Sequence, residues 1–226
     1  RFAVERPVSD TIREPSDLAF DPQTGTLWTV SDQRGSVHRV APDGAAAGAP
    51  LALEAKDLEG IALDPVTGHL FVVDEATSEI IEMSREGAIV ARRKVPQSGR
   101  GSNHGIEGIA YDPKGDGFVL VRERDPAELI FVDRQGRVTG RAPVRTEDLS
   151  AVAVHGDGAT LFVVARFEEA VLEVTRDGTR LNRLALNAPG VEGLAFDDRG
   201  RLFAVADLGG DTRGILYMFA REGGSR

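Results

Sequence analysis

The chain has 226 residues, 36 acidic against 27 basic, for a formal net charge of −9, and it lacks cysteine altogether. An acidic balance argues against a nucleic-acid partner, which would need a basic face, and the absence of Cys excludes disulfides and thiolate metal sites while leaving the compartment open. No apolar run approaches the roughly 18–20 residues needed to span a membrane.

The opening Arg1-Phe2-Ala3-Val4 reads as a strand rather than a secretory signal. After it, one short sentence recurs five times: Ser16-Asp17-Leu18-Ala19-Phe20-Asp21, Glu59-Gly60-Ile61-Ala62-Leu63-Asp64, Glu107-Gly108-Ile109-Ala110-Tyr111-Asp112, Ser150-Ala151-Val152-Ala153-Val154-His155 and Glu192-Gly193-Leu194-Ala195-Phe196-Asp197. The steps between copies are 43, 48, 43 and 42 residues, in the range where one repeat makes one propeller blade.

The second copy shows the pattern within a repeat. Ile61–Leu63 is a short apolar strand, followed by the turn Asp64-Pro65-Val66-Thr67-Gly68. His69–Val73, Glu79–Met83 and Ala88–Ala91 give three further strands, the third ended by Arg85-Glu86-Gly87. Pro42-Asp43-Gly44, Arg134-Gln135-Gly136 and Arg176-Asp177-Gly178 end the third strand in other copies.

Four antiparallel strands per repeat make a blade. The fifth copy supplies only three strands, ending near Ile215–Phe219, and Phe2–Arg6 can supply the fourth. The expected fold is therefore an all-β, five-bladed β-propeller spanning residues 1–226 as one domain. Its N-terminal strand, within about residues 1–8, closes the last blade and covers its edge. A six-bladed ring would require a further blade from elsewhere.

This topology sorts the loops. The regular, Gly-rich turns after the first and third strands share one face. The irregular, charged loops after the second strand share the other face with the starts of the first strands, and function is expected there. Around the tunnel mouth the repeat places Ser16, Glu59, Glu107, Ser150 and Glu192; two residues earlier stand Glu14, Asp57, Gly105, Asp148 and Gly190. The ends of the second strands place Asp32, Glu75, Glu123, Arg166 and Asp207 somewhat further out.

Carboxylates about 6 Å apart repel by roughly 3 kcal/mol at an effective dielectric near 20. Convergence of Glu59, Glu107 and Glu192 thus requires a bound cation, protonation, or basic partners. Oxygen-only donors favour a hard cation; Ca2+ suits carboxylates drawn from several blades, and Mg2+ is the stricter alternative. Without metal, the same glutamates can tie neighbouring blades through backbone amides.

Asp32, Glu75, Arg122, Glu123, Arg124, Arg166 and Asp207 are the candidate ligand contacts, with the arginines suited to anionic groups. His104, in the longest insertion between copies, and Glu123 are the candidate acid–base groups. Asp21, Asp64, Asp112 and Asp197 read as turn acceptors. His38, His69 and His155 receive no role. No nucleophile elbow, zinc helix or phosphate loop is present in the sequence.

These residues resemble the SdiA-regulated (YjiK-like) propeller family. The resemblance rests on the alternation Ser, Glu-Gly, Glu-Gly, Ser, Glu-Gly, on Asn103-His104-Gly105-Ile106-Glu107-Gly108, where the family has Lys at the His104 position, and on Arg122-Glu123-Arg124-Asp125-Pro126. It runs from about residue 12 to 219 and implies a bacterial protein, exported or envelope-associated, with calcium at Glu59, Glu107 and Glu192.

The leading functional reading is a monomeric, calcium-binding propeller that recognises a small molecule or protein at its charged mouth. One alternative is a metal-dependent hydrolase of a lactone or phosphoester, with Glu123 or His104 as base. Another is a metal-free interaction scaffold, which would need a contiguous apolar patch.

Overall fold

In the computed structural model, residues 2–32, 35–96, 105–209 and 213–219 are described. Their strands form five four-stranded sheets arranged as the blades of a propeller. Blade 1 contains β2 (Ala19–Asp21), β3 (Thr26–Ser31), β4 (Ser36–Val40) and β5 (Leu51–Ala52). Blade 2 contains β6 (Leu58–Leu63), β7 (Leu70–Asp74), β8 (Glu79–Met83) and β9 (Ile89–Lys94). Blade 3 contains β10 (Ile106–Asp112), β11 (Gly117–Arg122), β12 (Glu128–Asp133) and β13 (Val138–Pro143), and blade 4 contains β14 (Ala151–His155), β15 (Thr160–Ala165), β16 (Ala170–Thr175) and β17 (Arg180–Ala185).

Blade 5 is assembled from both ends of the chain. β18 (Val191–Phe196), β19 (Leu202–Ala206) and β20 (Ile215–Phe219) are followed in space by β1 (Phe2–Pro7). β1 pairs antiparallel with β20, with Glu5 opposite Tyr217. The N-terminal strand therefore closes the ring, as the repeat count requires.

Five apolar clusters hold the blades to one another, and they explain the recurring apolar-Ala-apolar core of the repeat. Ala62 of blade 2 packs with Ile109 and Tyr111 of blade 3. Ala110 of blade 3 meets Val152 and Val154 of blade 4. Ala153 meets Leu194 and Phe196, Ala195 meets Leu18 and Phe20, and Ala19 meets Ile61 and Leu63. Each small residue thus leaves space for two large ones from the next blade, the interdigitation that a dense core requires.

Polar ties reinforce the same seams. Asp21 accepts the N–H of Gln23 within its own turn and also Arg85 Nη1 of blade 2, at 2.6 Å. Asp64 likewise holds its own turn and is paired with Arg134 of blade 3. Asp112 takes both Arg176 Nη atoms of blade 4, at 2.8 and 2.6 Å. The turn aspartates are therefore also clasps between blades. In blade 1 the third strand ends in Pro42 instead of Arg, and Asp197 pairs with Arg201 of its own turn.

Candidate metal centre at the tunnel mouth

The Glu-Gly pairs produce a specific backbone device. Where Glu59, Glu107 and Glu192 occur, the pairing of the innermost strand slips: the register jumps between Leu58 and Gly60, between Ile106 and Gly108, and between Val191 and Gly193. Each glutamate is the extra residue of a β-bulge, which frees it from the ladder and re-aims its side chain. The glycine is demanded by crowding. A Cβ on Gly60 would lie 3.0 Å from the Ile109 amide nitrogen, and one on Gly193 would lie 2.6 Å from the Asp17 Cα.

All three bulge glutamates line one cavity of about 320 Å³ at the tunnel mouth, together with Glu14, Ser16, Asp32, Glu75, Glu123, Arg166 and Asp207. Every residue expected at the ends of the second strands is present. Ser150 is not among the lining residues; its hydroxyl is buried and directed to the Val191 carbonyl. Among the described residues the lining carries eight carboxylates and one guanidinium, with no apolar side chain.

The tightest grouping differs from the three-glutamate set expected from the repeat. Asp32, Asp57 and Glu59 each offer a carboxylate oxygen, and these oxygens lie within 4.8 Å of one another. Asp32 comes from the loop after β3, while Asp57 and Glu59 come from the start of β6. Two charges at that separation repel by about 3.5 kcal/mol at an effective dielectric near 20.

Burial is the largest cause of the resulting proton retention. Glu59 is pushed up to about 10 by burial, then by Glu107 and Asp32. Glu107 is pushed up to about 8 by burial and Glu75, against the pull of Arg166. Asp32 rises to about 7 through burial and contact with Asp57. Glu75 is raised by burial, but its Oε1 accepts the Gly105 N–H at 2.8 Å, which favours the charged form.

Arg166 organises the other side of the mouth. Its guanidinium contacts Glu192 at 2.9 Å, Glu123 at 3.5 Å and Asp148 at 3.7 Å. Asp148 is fully buried and also accepts the backbone N–H groups of Arg166 and Phe167, so it holds the loop that carries the arginine. Glu192 is raised by burial, with Arg166 opposing that shift. Arg124 pairs with Glu123 and lies over the Phe167 ring, 5.4 Å from its centre.

Arg122 corrects the expected ligand set. Arg122 is the last residue of β11 and pairs across the ladder with Glu128. Its buried side chain donates to the Pro126 carbonyl and lies 3.3 Å from Glu128, away from the cavity lining. His104 lies outside the described residues.

Two sets of residues escaped the sequence reading. Asp17, fully buried at the axis, is the only acid at a repeat position otherwise held by Gly or Ala, and that exception was the available signal. Arg85, Arg134 and Arg176 were visible as ends of third strands, but their bonds to the preceding blade are a property of ring closure. The other end of the tunnel is a funnel of about 440 Å³ walled by apolar residues of the innermost strands.

Fold and mouth together define a five-bladed propeller with an acidic axial cavity. The chain belongs to the SdiA-regulated family, whose family model matches residues 1–207. Among solved structures it is similar to the glutaminyl cyclase of Myxococcus xanthus, with TM-score 0.75 and 15% identity over 96% of this chain and 94% of that one. It is also similar to virginiamycin B lyase from Staphylococcus aureus, with TM-score 0.57 and 16% identity over 92% of this chain and 66% of that one. At these identities the likeness concerns the fold alone. Among the described residues, no helix is long and apolar enough to cross a membrane.

Proposed function

We propose that this propeller binds a divalent cation, calcium, at the tunnel mouth and uses the charged mouth to recognise a small molecule or protein. The observation that carries this reading is the convergence of Asp32, Asp57 and Glu59 oxygens within 4.8 Å, with Asp32 and Glu59 lining a cavity walled almost wholly by carboxylates. A hard cation relieves their repulsion, and the three groups that converge offer oxygen donors. Calcium accepts six to eight oxygens in flexible geometry, which suits side chains delivered by different blades; magnesium demands a stricter octahedron. Glu75 and Glu107 adjoin the group, whereas Glu192 is engaged by Arg166. A ligand carrying an anionic group would meet the cation on one side and Arg166 or Arg124 on the other. The family resemblance supports an exported or envelope-associated setting, where calcium is plentiful.

Metal analysis of the purified protein and calorimetric titration of chelator-treated protein with Ca2+ and Mg2+ test this. Stoichiometric Ca2+ binding is expected; no heat and no shift in thermal unfolding with either ion would refute the metal reading.

A second reading is enzymatic. Glu107, pushed up to about 8 by burial and by Glu75, holds a proton near neutral pH in a carboxylate-lined cavity, as a general acid must. Two proteins of similar fold are described as a cyclase and a lyase. Turnover of a lactone, ester, phosphoester or N-terminal glutaminyl peptide, lost in Glu107→Gln, would establish it. Inactivity of the calcium-loaded wild type across that panel would remove it.

A further inference from the structure

One buried acid is not used by the cation reading, and its position connects the parts of the mouth. Asp17 is fully buried. Its Oδ1 accepts the Leu18 N–H at 2.8 Å, and its Oδ2 accepts the N–H of Ile61 at 3.1 Å and that of Ile109 at 3.4 Å. The Leu194 N–H is a further donor to the same carboxyl. A single side chain therefore gathers amides from blades 1, 2, 3 and 5.

The identity of those amides matters. Ile61, Ile109 and Leu194 each lie two residues after a bulge glutamate, namely Glu59, Glu107 and Glu192. The bulge leaves the glutamate without a ladder partner, so the position of its backbone depends on what holds the residues that follow. The crowding already noted at Gly60 and Gly193, together with Gly108, whose Cβ would lie 3.0 Å from the Ala151 Cα, leaves no slack between blades at this level.

We propose that Asp17 is the positioning residue of the mouth, a buried carboxyl group that holds the three bulges in common register and so sets where Glu59, Glu107 and Glu192 present their oxygens. This rests on the cation reading for its consequence, not for its geometry. Because one acceptor serves all three strands, displacement of one bulge is transmitted to the others. By reciprocity, a cation that fixes Glu59 must also tighten the amides that Asp17 holds in common.

The test is Asp17→Asn, which keeps the size and one acceptor oxygen but turns an NH2 group toward backbone donors. Calcium affinity, read by calorimetry well below the unfolding transition, is expected to fall by at least about tenfold, the usual cost of removing a group that orients metal ligands. A stability-matched control, Leu172→Ala in the core between blades 3 and 4, should bind as wild type does. A folded Asp17→Asn protein with wild-type affinity would overturn the proposal, as would an equal loss in the control.

Should Asp17→Asn not fold, amide exchange of the wild type decides. Calcium is expected to slow exchange at Ile61, Ile109 and Leu194 together, and unchanged exchange refutes the coupling. Should the wild type bind no cation, the cation reading fails on its own. The positioning role is then read from amide exchange of the metal-free protein, which must quicken at Ile61, Ile109 and Leu194 together in Asp17→Asn; unaltered exchange, or a change on one strand alone, would reject it.

Discussion

Arg166 donates to Glu192 at 2.9 Å across the boundary between blades 4 and 5, and this pair divides the mouth in two. On its side, Glu192, Glu123 and Asp148 share one guanidinium. On the other, Asp32, Asp57 and Glu59 face one another, and among the described residues the cavity lining offers no guanidinium besides that of Arg166. Removing the arginine should extend the uncompensated acidity across the whole cavity. In Arg166→Gln, chelator-treated protein is expected to lose about 1–3 kcal/mol of stability, the range for breaking a partly buried pair with part of the guanidinium still exposed. Calcium should restore more of that loss than it adds to wild type. Urea unfolding with and without calcium reads both effects, and equal gains from calcium in the two proteins would contradict the divided mouth.

The three carboxylates at 4.8 Å should not contribute alike with Glu192. Asp32→Asn, Asp57→Asn and Glu59→Gln are each expected to weaken calcium binding about tenfold or more, since each removes a charged donor from the closest group. Glu192→Gln should cost clearly less, because Arg166 already engages that carboxylate. Calorimetric titration of the four variants gives the ranking directly. A Glu192 variant as impaired as the Glu59 variant would return the centre to the symmetrical three-glutamate arrangement.

Both rings of the mouth were legible in the sequence because the site residues keep a fixed offset from the repeated core, with a single deletion before Asp207 in the last copy. The Glu-Gly pairs could be placed at the tunnel, yet the bulge that aims the glutamate is a mismatch between two strands and has no signature within one of them. Asp57 stood out as an acid two residues ahead of Glu59, but its approach to Asp32 depends on the twist between blades 1 and 2. Arg122 lies outside the cavity lining for a local reason. Whether an arginine after a strand belongs to the loop or to the ladder turns on one residue of strand length, and cross-strand Glu128 decided it. Asp17 was hidden by the alignment itself, since the repeat directs attention to what its copies share.

The raised carboxyls give the metal-free protein a distinctive pH dependence. Asp32 near 7, Glu107 near 8 and Glu59 near 10 all bind protons more tightly in the folded chain than in the unfolded one. Their contribution is present at the acid end of that window and is lost as pH rises through the folded values. Chelator-treated protein should therefore be more stable at about pH 5.5 than at about pH 8. Calcium, which replaces those protons, should flatten or reverse the slope. Below about pH 4 the trend turns, because Asp64, Asp197 and Glu82, all held low by their basic partners, lose stabilising charge there. Denaturant midpoints across pH, with and without calcium, would show it. A chelated protein more stable at the alkaline end would be incompatible with protonated mouth carboxyls.

Ring closure predicts that stability is shared along the seams between blades instead of residing in one blade. Asp112 is almost fully buried and takes two bonds from Arg176 of the next blade. Asp112→Asn leaves the guanidinium without its charge partner and weakens the turn in which Asp112 accepts the Lys114 N–H. A loss of about 2–3 kcal/mol is expected, moderated by the partial exposure of Arg176. The double variant with Arg176→Met should recover part of it, because the two residues act as a pair. Calcium affinity should stay unchanged in both, since the clasp lies at the opposite end of the tunnel from the acidic cavity. Additive losses in the double-mutant cycle would show that the turn, and not the bond between blades, is what Asp112 supports.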